Sequence, residues 1–122
     1  MKDQSSLALA RQISSLALSK KASGICLMDL KALSTVTDYF VICHGDADLQ
    51  VKAIADAVVD GMTAMGVKPW HKEGYDYLNW VLLDYVDVVV HIFQKETRDF
   101  YRLEKLWGDA PMEWIDDGAT ES

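Results

Sequence analysis

The segment NWVLLDYVDVVVHIF, residues 79–93, decides the fold of this chain. It contains two short apolar runs, 80–83 and 88–93, which are rich in β-branched and aromatic residues and are therefore predicted to be strands. The four residues between the runs are few enough for a tight antiparallel hairpin. Neither run has a cleanly polar face, so we expect helices or a partner to cover both sides of this hairpin.

The one tryptophan of this hairpin, Trp80, has two competing interpretations. Alternation places Trp80 on the same face as Leu82 and Asp84, and it places Val81 and Leu83 on the opposite face. A core position would pack the indole inside the domain, whereas an interface position would present it to a partner. We favour the interface, because Val81 and Leu83 can fill a core and Asp84 would be costly to bury unpaired.

Outside the hairpin, helical periodicity and short apolar runs predict three helices and three further strands. The predicted strands are residues 25–30, 39–43 and 68–73. The first predicted helix covers residues 4–20 and the last covers residues 100–107. The second begins at a cap residue, Asp46 or Asp48, and extends to about Met65. Gly66 fits the C′ position of the second helix. On the last helix, Phe100 is expected to face the core.

These elements predict an α/β fold. The strand, helix, strand order around the second helix predicts a right-handed crossover between parallel strands, and the hairpin adds antiparallel pairing. We therefore expect a mixed sheet of about five strands flanked by helices, in a single domain over residues 1–115. Residues 116–122 form a short acidic tail that we expect to be frayed.

The composition indicates a globular binding protein. The chain has 122 residues, half of them apolar, and a formal net charge of −7. That charge disfavours DNA binding through a basic field and favours a basic protein partner. No N-terminal apolar run follows a basic segment and no stretch approaches about 18 apolar residues, so we expect no secretory signal, no membrane span and a cytoplasmic location. Cys26 and Cys43 lie in predicted strands and are expected to be free buried thiols.

The sequence contains no complete catalytic or metal-binding constellation. Asp46 and Asp48 invite a phosphate or metal site at a helix N-terminus, but two carboxylates repel a phosphate and no Gly-rich fingerprint accompanies them. The three histidines, His44, His71 and His91, lie on different elements without HExxH or CxxC spacing. We therefore expect a binding protein without a cofactor rather than an enzyme.

Two carboxylates of the hairpin, Asp84 and Asp87, have their own pair of interpretations. They can serve as paired carboxylates for acid–base chemistry, or they can bracket the turn. We favour the turn, because both flank the break between the two predicted strands.

Several segments match a known family in order and spacing. They are Asp38-Tyr39-Phe40-Val41-Ile42, Gly45, Val51-x-x-Ile54-Ala55-Asp56, Glu73-Gly74, Trp80-Val81-Leu82-Leu83-Asp84-Tyr85, Asp87-x-x-Val90-His91-x-Phe93 and Arg98-x-x-Tyr101-x-Leu103-Glu104-x-Leu106-Trp107. Together they resemble the Iojap/RsfS family of ribosomal silencing factors, over about residues 6–111. A dozen matched polar or aromatic positions make the resemblance specific.

The resemblance implies a nucleotidyltransferase-like α/β fold without the active residues of the transferase. It implies binding to the large ribosomal subunit through ribosomal protein fourteen, where the bound factor sterically blocks subunit joining and represses translation when nutrients are short. It also implies a homodimer when the protein is free. The positions carried over as partner-facing or site-shaping are Trp80, Asp84, Tyr85, His91, Arg98 and Tyr101.

The chain departs from the family pattern in two places. Asp46, Ala47 and Leu49 stand where the family usually has Thr, Ser and Arg, which questions an anion-binding role of that loop. Val86 stands where the hairpin turn usually has Gly, and Val resists positive φ. Two other functions remain open: a nucleotidyltransferase-like enzyme that holds a nucleotide and a metal at Asp46 and Asp48, and a self-associating structural domain.

Overall fold

The computed structural model describes residues 2–115, with side chains from residue 6 onward. The predicted acidic tail, residues 116–122, lies outside the described residues. In chain order the elements are α1 (Lys2–Leu18), β1 (Ser23–Asp29), β2 (Tyr39–Gly45), α2 (Asp48–Ala64), β3 (His71–Glu73), β4 (Trp80–Asp84), β5 (Val88–Gln94), α3 (Lys95–Tyr101), α4 (Leu103–Leu106) and β6 (Met112–Ile115).

The described strands form one mixed sheet, and the predicted α/β class is confirmed. Six strands lie in the order β3-β4-β5-β2-β1-β6. β2 and β5 pair in parallel, and the other four neighbouring pairs are antiparallel. The prediction of about five strands missed β6, which begins directly after Pro111 and pairs with the free edge of β1. The Asp29 N–H donates to the Pro111 carbonyl oxygen at 2.9 Å and starts this pairing.

Helix α2 connects two parallel strands, as the sequence predicted. It joins β2 to β3, and the pairing directions across β5 and β4 make β3 parallel to β2. The predicted antiparallel hairpin, β4 and β5, lies between these two strands in the sheet. The crossover therefore spans the hairpin instead of joining neighbouring strands.

Helices α1 and α2 contact one face of the sheet and form the larger core. From the sheet, Val41, Val81, Leu83 and Val90 are fully buried in this core, and α2 contributes Ile54. Val81 and Leu83 thus fill the core, as alternation along β4 predicted.

The opposite face of the sheet carries a smaller core. Met28, Ile42 and Phe93 from three different strands pack there with Leu103 of α4, and Trp80 packs against their edge. Helices α3 and α4 are short, so they cover this face only in part.

The start of α2 differs from the prediction. Ala47 is the N-cap residue and no side chain caps the helix, so the predicted cap at Asp46 or Asp48 is wrong. Asp48 is instead the first helical residue, where the helix dipole favours a carboxylate. The Asp46 N–H donates to the Gln50 side-chain oxygen at 2.8 Å. Gly66 follows the helix with a left-handed φ of 85°, as predicted.

The predicted last helix is two short helices. α3 begins directly after β5, and α4 follows a break at Arg102, which has a left-handed φ of 49°. Arg98 and Glu104 lie on the two sides of the break and form an ion pair at 2.7 Å. In a continuous helix, residues six apart point to different sides, so the break is what allows this pair to form.

The turn between β4 and β5 holds Val86 in a strained conformation. Val86 has a φ of 74°, and the Asp87 N–H donates to the Tyr85 carbonyl oxygen at 2.9 Å, which makes this a γ-turn. A β-branched residue at positive φ is an outlier. The Asp84 carboxylate accepts a hydrogen bond from the Val86 N–H at 2.7 Å, so Asp84 brackets the turn as predicted.

We expect Val86→Gly to raise the free energy of unfolding by about 1 kcal/mol. Glycine relieves a backbone strain of about 1–3 kcal/mol, and its greater freedom in the unfolded chain offsets roughly 0.5–1 kcal/mol of that gain. Urea unfolding followed by tryptophan fluorescence measures the change. Val86→Ala keeps a Cβ at the same φ and should gain much less. A lower urea midpoint for Val86→Gly would show that packing of the Val86 side chain outweighs the strain.

Candidate protein interface

The partly covered face of the sheet carries an aromatic surface, which is made of Trp80, Phe100 and Tyr101. Trp80 is the first residue of β4, and Phe100 and Tyr101 are the last two residues of α3. The ring centroids of Trp80 and Tyr101 are 5.0 Å apart, as are those of Tyr101 and Phe100. Phe100 is 78% exposed and Tyr101 is 49% exposed, whereas Trp80 is half-buried. The three rings border a cavity of about 320 Å³ that Glu96 also lines.

Two contacts, with His91 and Phe93, fix the position of the Trp80 ring. Its indole N–H donates to His91 Nδ1 at 3.1 Å, and its ring centroid lies 4.8 Å from that of Phe93. The inner side of Trp80 therefore packs on the smaller core while its outer side borders the cavity. Trp80 thus has one side in the core and one side at the surface, so it combines features of the core position and the interface position that the sequence left as alternatives.

His91 lies beneath Trp80 and is 96% buried, with 4% of its surface exposed. Burial lowers the pKa of His91 to about 3, so the ring is neutral near pH 7. Because an indole nitrogen can only donate, Nδ1 of His91 is the acceptor and the ring proton is on Nε2. This Nε2–H has no hydrogen-bond partner among the residues that the structure describes.

Arg98 points inward from α3 and is buried. Its Nε and one terminal nitrogen contact the Glu104 carboxylate at 2.8 and 2.7 Å, and the other terminal nitrogen donates to His44 Nδ1 at 2.9 Å. Burial, followed by the Arg98 charge, lowers the pKa of His44. Arg98 passes close to Gly24, where an added Cβ would lie 2.6 Å from a guanidinium nitrogen. Arg98 thus joins α3 to α4, β1 and β2.

Tyr85 and Asp84 lie on opposite faces at the end of β4. Tyr85 is buried in the larger core, where burial raises the pKa of its phenol to about 12. Asp84 is half-buried on the face that carries Trp80. Of the six carried-over residues, the structure brings Trp80, His91 and Tyr101 together and leaves Tyr85 on the other side of the sheet.

A larger cavity, the sheet groove, lies beside the aromatic surface on the same face. It has a volume of about 670 Å³. Phe40, Leu82 and Val89 form its floor on the sheet, and the exposed side chains of Val36 and Trp70 stand at its rim. Both rim residues lie outside the observed strands, Val36 between β1 and β2 and Trp70 just before β3. The predicted strand over residues 68–73 included Trp70, but β3 begins only at His71, so alternation along a strand gave no usable signal for either residue.

Sequence reasoning also missed one member of the aromatic surface. Phe100 was expected in the core, and this expectation was wrong because the break at Arg102 separates it from Leu103 of α4. Leu103 is buried while Phe100 is exposed. The signal that was available is the pair of adjacent aromatic residues, Phe100 and Tyr101, next to charged residues on a short helix.

Residues 2–115 hold no group of three His, Cys, Asp or Glu side chains placed to bind a metal ion. Asp46 and Asp48 lie at the exposed start of α2. Cys26 and Cys43 are free and buried, as predicted, and burial raises the pKa of these thiols to about 11 and about 12. Such thiols are protonated near pH 7 and are poor nucleophiles. No described helix is long and apolar enough to cross a membrane.

Comparison with known proteins identifies relatives along nearly the whole chain. The family model "Ribosomal silencing factor during starvation" matches residues 3–122. The ribosomal silencing factor RsfS of Bacillus subtilis is 47% identical over 102 residues, which are 84% of this chain and 86% of that protein. Protein Iojap of Arabidopsis thaliana chloroplasts is 35% identical over 115 residues, which are 88% of this chain and 45% of that protein.

Two solved structures share the fold and about a third of the sequence. A crystal structure from Bacillus halodurans has a TM-score of 0.77 at 38% identity and covers 92% of this chain and 99% of its own. A Chromobacterium violaceum protein has a TM-score of 0.79 at 31% identity and covers 98% of both chains. The family-model match over residues 3–122, the relatives and the shared fold agree, and this chain therefore belongs to the RsfS family of ribosomal silencing factors.

Proposed function

We propose that this chain represses translation by binding the large ribosomal subunit through ribosomal protein fourteen and blocking its association with the small subunit. It would act in the cytoplasm when nutrients are short, and it would form a homodimer when free. Family membership supports the ribosomal role. The observation that carries the docking step is the exposed aromatic surface of Trp80, Phe100 and Tyr101.

The aromatic surface has the properties of a binding hot spot. Trp and Tyr dominate hot spots because they bury a large area with few rotatable bonds. The hydrogen bond to His91 and the contact with Phe93 fix the Trp80 ring before any partner arrives. A partner therefore loses little free energy in ordering this side chain.

The six carried-over residues divide by burial into two proposed roles. Trp80 and Tyr101 would contact the partner directly, and Asp84, at the edge of the sheet groove, would meet a basic group. The other three would act indirectly: Tyr85 through the larger core, His91 by holding Trp80 and Arg98 by holding α3.

Co-sedimentation with purified ribosomal subunits tests this function. We expect the chain to pellet with large subunits and not with small subunits, and to reduce the fraction of joined ribosomes when added before the subunits are mixed. Light scattering of the free chain tests the homodimer. Equal pelleting with both subunits, or unchanged joining at saturating chain, would contradict the proposal.

We expect the affinity for large subunits to fall modestly as salt rises. The chain has a net charge of −7 and Glu96 lines the cavity of the aromatic surface, so a basic partner would be attracted electrostatically. Complementary charge mainly speeds association, so the association rate should fall more than the dissociation rate rises. Surface plasmon resonance at several salt concentrations measures both rates. An association rate that does not change with salt would argue against electrostatic attraction.

A further inference from the structure

Helix α3 is attached to the sheet through a polar side chain rather than an apolar one. The structure describes all seven residues of α3, and Arg98 alone among them is buried. The others, which include Phe100, are exposed or half-buried. A short helix without a buried apolar side chain gains little from the hydrophobic effect. The position of α3 therefore depends on the contacts of Arg98 and on the ring contact between Tyr101 and Trp80.

The contact that joins Arg98 to the sheet is its hydrogen bond with His44. His44 lies on β2, and one terminal nitrogen of Arg98 donates to its Nδ1 at 2.9 Å. The other two nitrogens of Arg98 contact Glu104, which belongs to α4 and not to the sheet. A guanidinium can only donate and does not lose its proton, so Nδ1 of His44 must be unprotonated for this bond to exist.

Protonation of His44 would replace this hydrogen bond with a repulsion. Both groups would then be cations with hydrogens on the facing nitrogens. Gly24 of β1 closes one side of the pair, because a Cβ built there would lie 2.6 Å from the Arg98 nitrogen and 3.2 Å from His44 Cε1. The two side chains therefore have little room to separate without a shift of α3.

The other charged groups that face His44 do not remove this conflict. Lys95 of α3 adds a second positive charge, whereas Asp46, after β2, and Asp99 of α3 favour the protonated ring. Burial has the largest effect on the pKa of His44, the charges of Arg98 and Lys95 follow, and together they lower it below its ordinary value of 6.5. The ring is therefore neutral near pH 7 and gains a proton only as the pH falls.

His91, a second imidazole beneath the aromatic surface, differs from His44 in exposure. It accepts the hydrogen bond of Trp80 where only 4% of its surface is exposed, and burial lowers its pKa to about 3. His44 is half-buried near the end of β2, so protons from the solvent reach it. Mild acid therefore acts on the attachment of α3 before it acts on the attachment of Trp80.

We propose that the contact between His44 and Arg98 is a pH-sensitive switch of the aromatic surface. Neutral His44 holds α3 in the position that completes this surface. Protonated His44 releases Arg98 from the sheet, displaces α3 and weakens binding to the large ribosomal subunit. The displacement of α3 does not depend on the proposed function, whereas the effect on binding rests on it.

His44→Asn separates the hydrogen bond from the charge, because the amide oxygen of Asn takes the place of Nδ1 and accepts from Arg98 without titrating. His71→Asn is the matched control, because His71 is exposed and pairs with Asp84, at the opposite end of β4 from Trp80. Each chain is compared with itself at about pH 7.5 and about pH 5.5, on either side of the ordinary histidine pKa, so differences in basal affinity cancel. Melting curves at both pH values verify that each chain is folded where it is assayed.

NMR of the free chain tests the switch without ribosomes. The imidazole 15N signals of His44 report its protonation, and the NOE between the rings of Tyr101 and Trp80, whose centroids are 5.0 Å apart, reports the position of α3. We expect this NOE to weaken with the same midpoint as the His44 titration in the parent chain and in His71→Asn, and to persist in His44→Asn. An NOE that stays constant while His44 titrates would overturn the proposal.

Co-sedimentation at the two pH values tests the consequence for binding. We expect the affinity of the parent chain and of His71→Asn for large subunits to fall about fivefold or more at the lower pH, relative to the change in His44→Asn. An equal fall in all three chains would contradict a role of His44 in binding. If no chain pellets with large subunits at either pH while the NOE follows the His44 titration, the proposed function is wrong and the NMR result still supports the switch.

Discussion

Replacing Arg98 with Met is expected to lower the free energy of unfolding by about 3 kcal/mol or more. The Arg98 side chain is 7% exposed and that of Glu104 is 22% exposed, so removal of the guanidinium leaves a largely buried carboxylate without its partner. Breaking a buried ion pair from one side typically costs about 3–5 kcal/mol. His44 Nδ1 also loses its donor. Urea unfolding followed by circular dichroism measures the change.

The double variant Arg98→Met with Glu104→Leu separates the charge from the shape of these side chains. Replacing both partners of a buried pair with apolar residues is often nearly neutral, so the double variant should recover much of the lost stability. Lys95→Met is the matched control, because the ion pair of Lys95 with Asp99 is exposed and should contribute less than about 1 kcal/mol. An Arg98→Met variant within about 1 kcal/mol of the parent chain would show that α3 and α4 hold together without this pair.

The hairpin was predictable because its determinants are local. The sequence of β4 and β5 contains both strands, and alternation correctly placed Val81 and Leu83 in the larger core. The same alternation puts Tyr85 on that buried face, where the structure has it. The family resemblance had carried Tyr85 over among partner-facing or site-shaping positions, and its burial leaves only an indirect role for it.

The features that sequence analysis missed depend on residues far apart in the chain. β6 has only four residues, and the open edge of β1, more than 80 positions earlier, makes it a strand. The break at Arg102 accompanies the pairing of Arg98 with Glu104, and Arg98 also needs His44 and the space above Gly24. No local pattern encodes these contacts, so the exposure of Phe100 could not be inferred from helical spacing.

We expect Trp80→Ala to reduce both stability and partner binding. The half-buried indole packs on Phe93 and Tyr101, so its loss should lower the free energy of unfolding by about 3 kcal/mol. His91 Nδ1 also loses its donor. If Trp80 is the central anchor of the aromatic surface, the affinity for large subunits should fall by about 2 kcal/mol or more, measured at a temperature where the variant remains folded.

Tyr101→Ala distinguishes loss of contact from loss of fold. Tyr101 is 49% exposed, so we expect its removal to cost less than about 1.5 kcal/mol of stability, yet to weaken binding to large subunits clearly. Trp114→Ala is the control, because Trp114 is also exposed, at 60%, but lies far from Trp80 along the sheet. β6, which carries Trp114, is one edge strand of the sheet, whereas β4, which carries Trp80, lies next to the other edge strand, β3. Co-sedimentation of the three variants orders these effects. If Trp80→Ala and Tyr101→Ala, while folded, still pellet with large subunits at the parent affinity, the aromatic surface is not the docking site and the exposed rim of the sheet groove becomes the next surface to mutate.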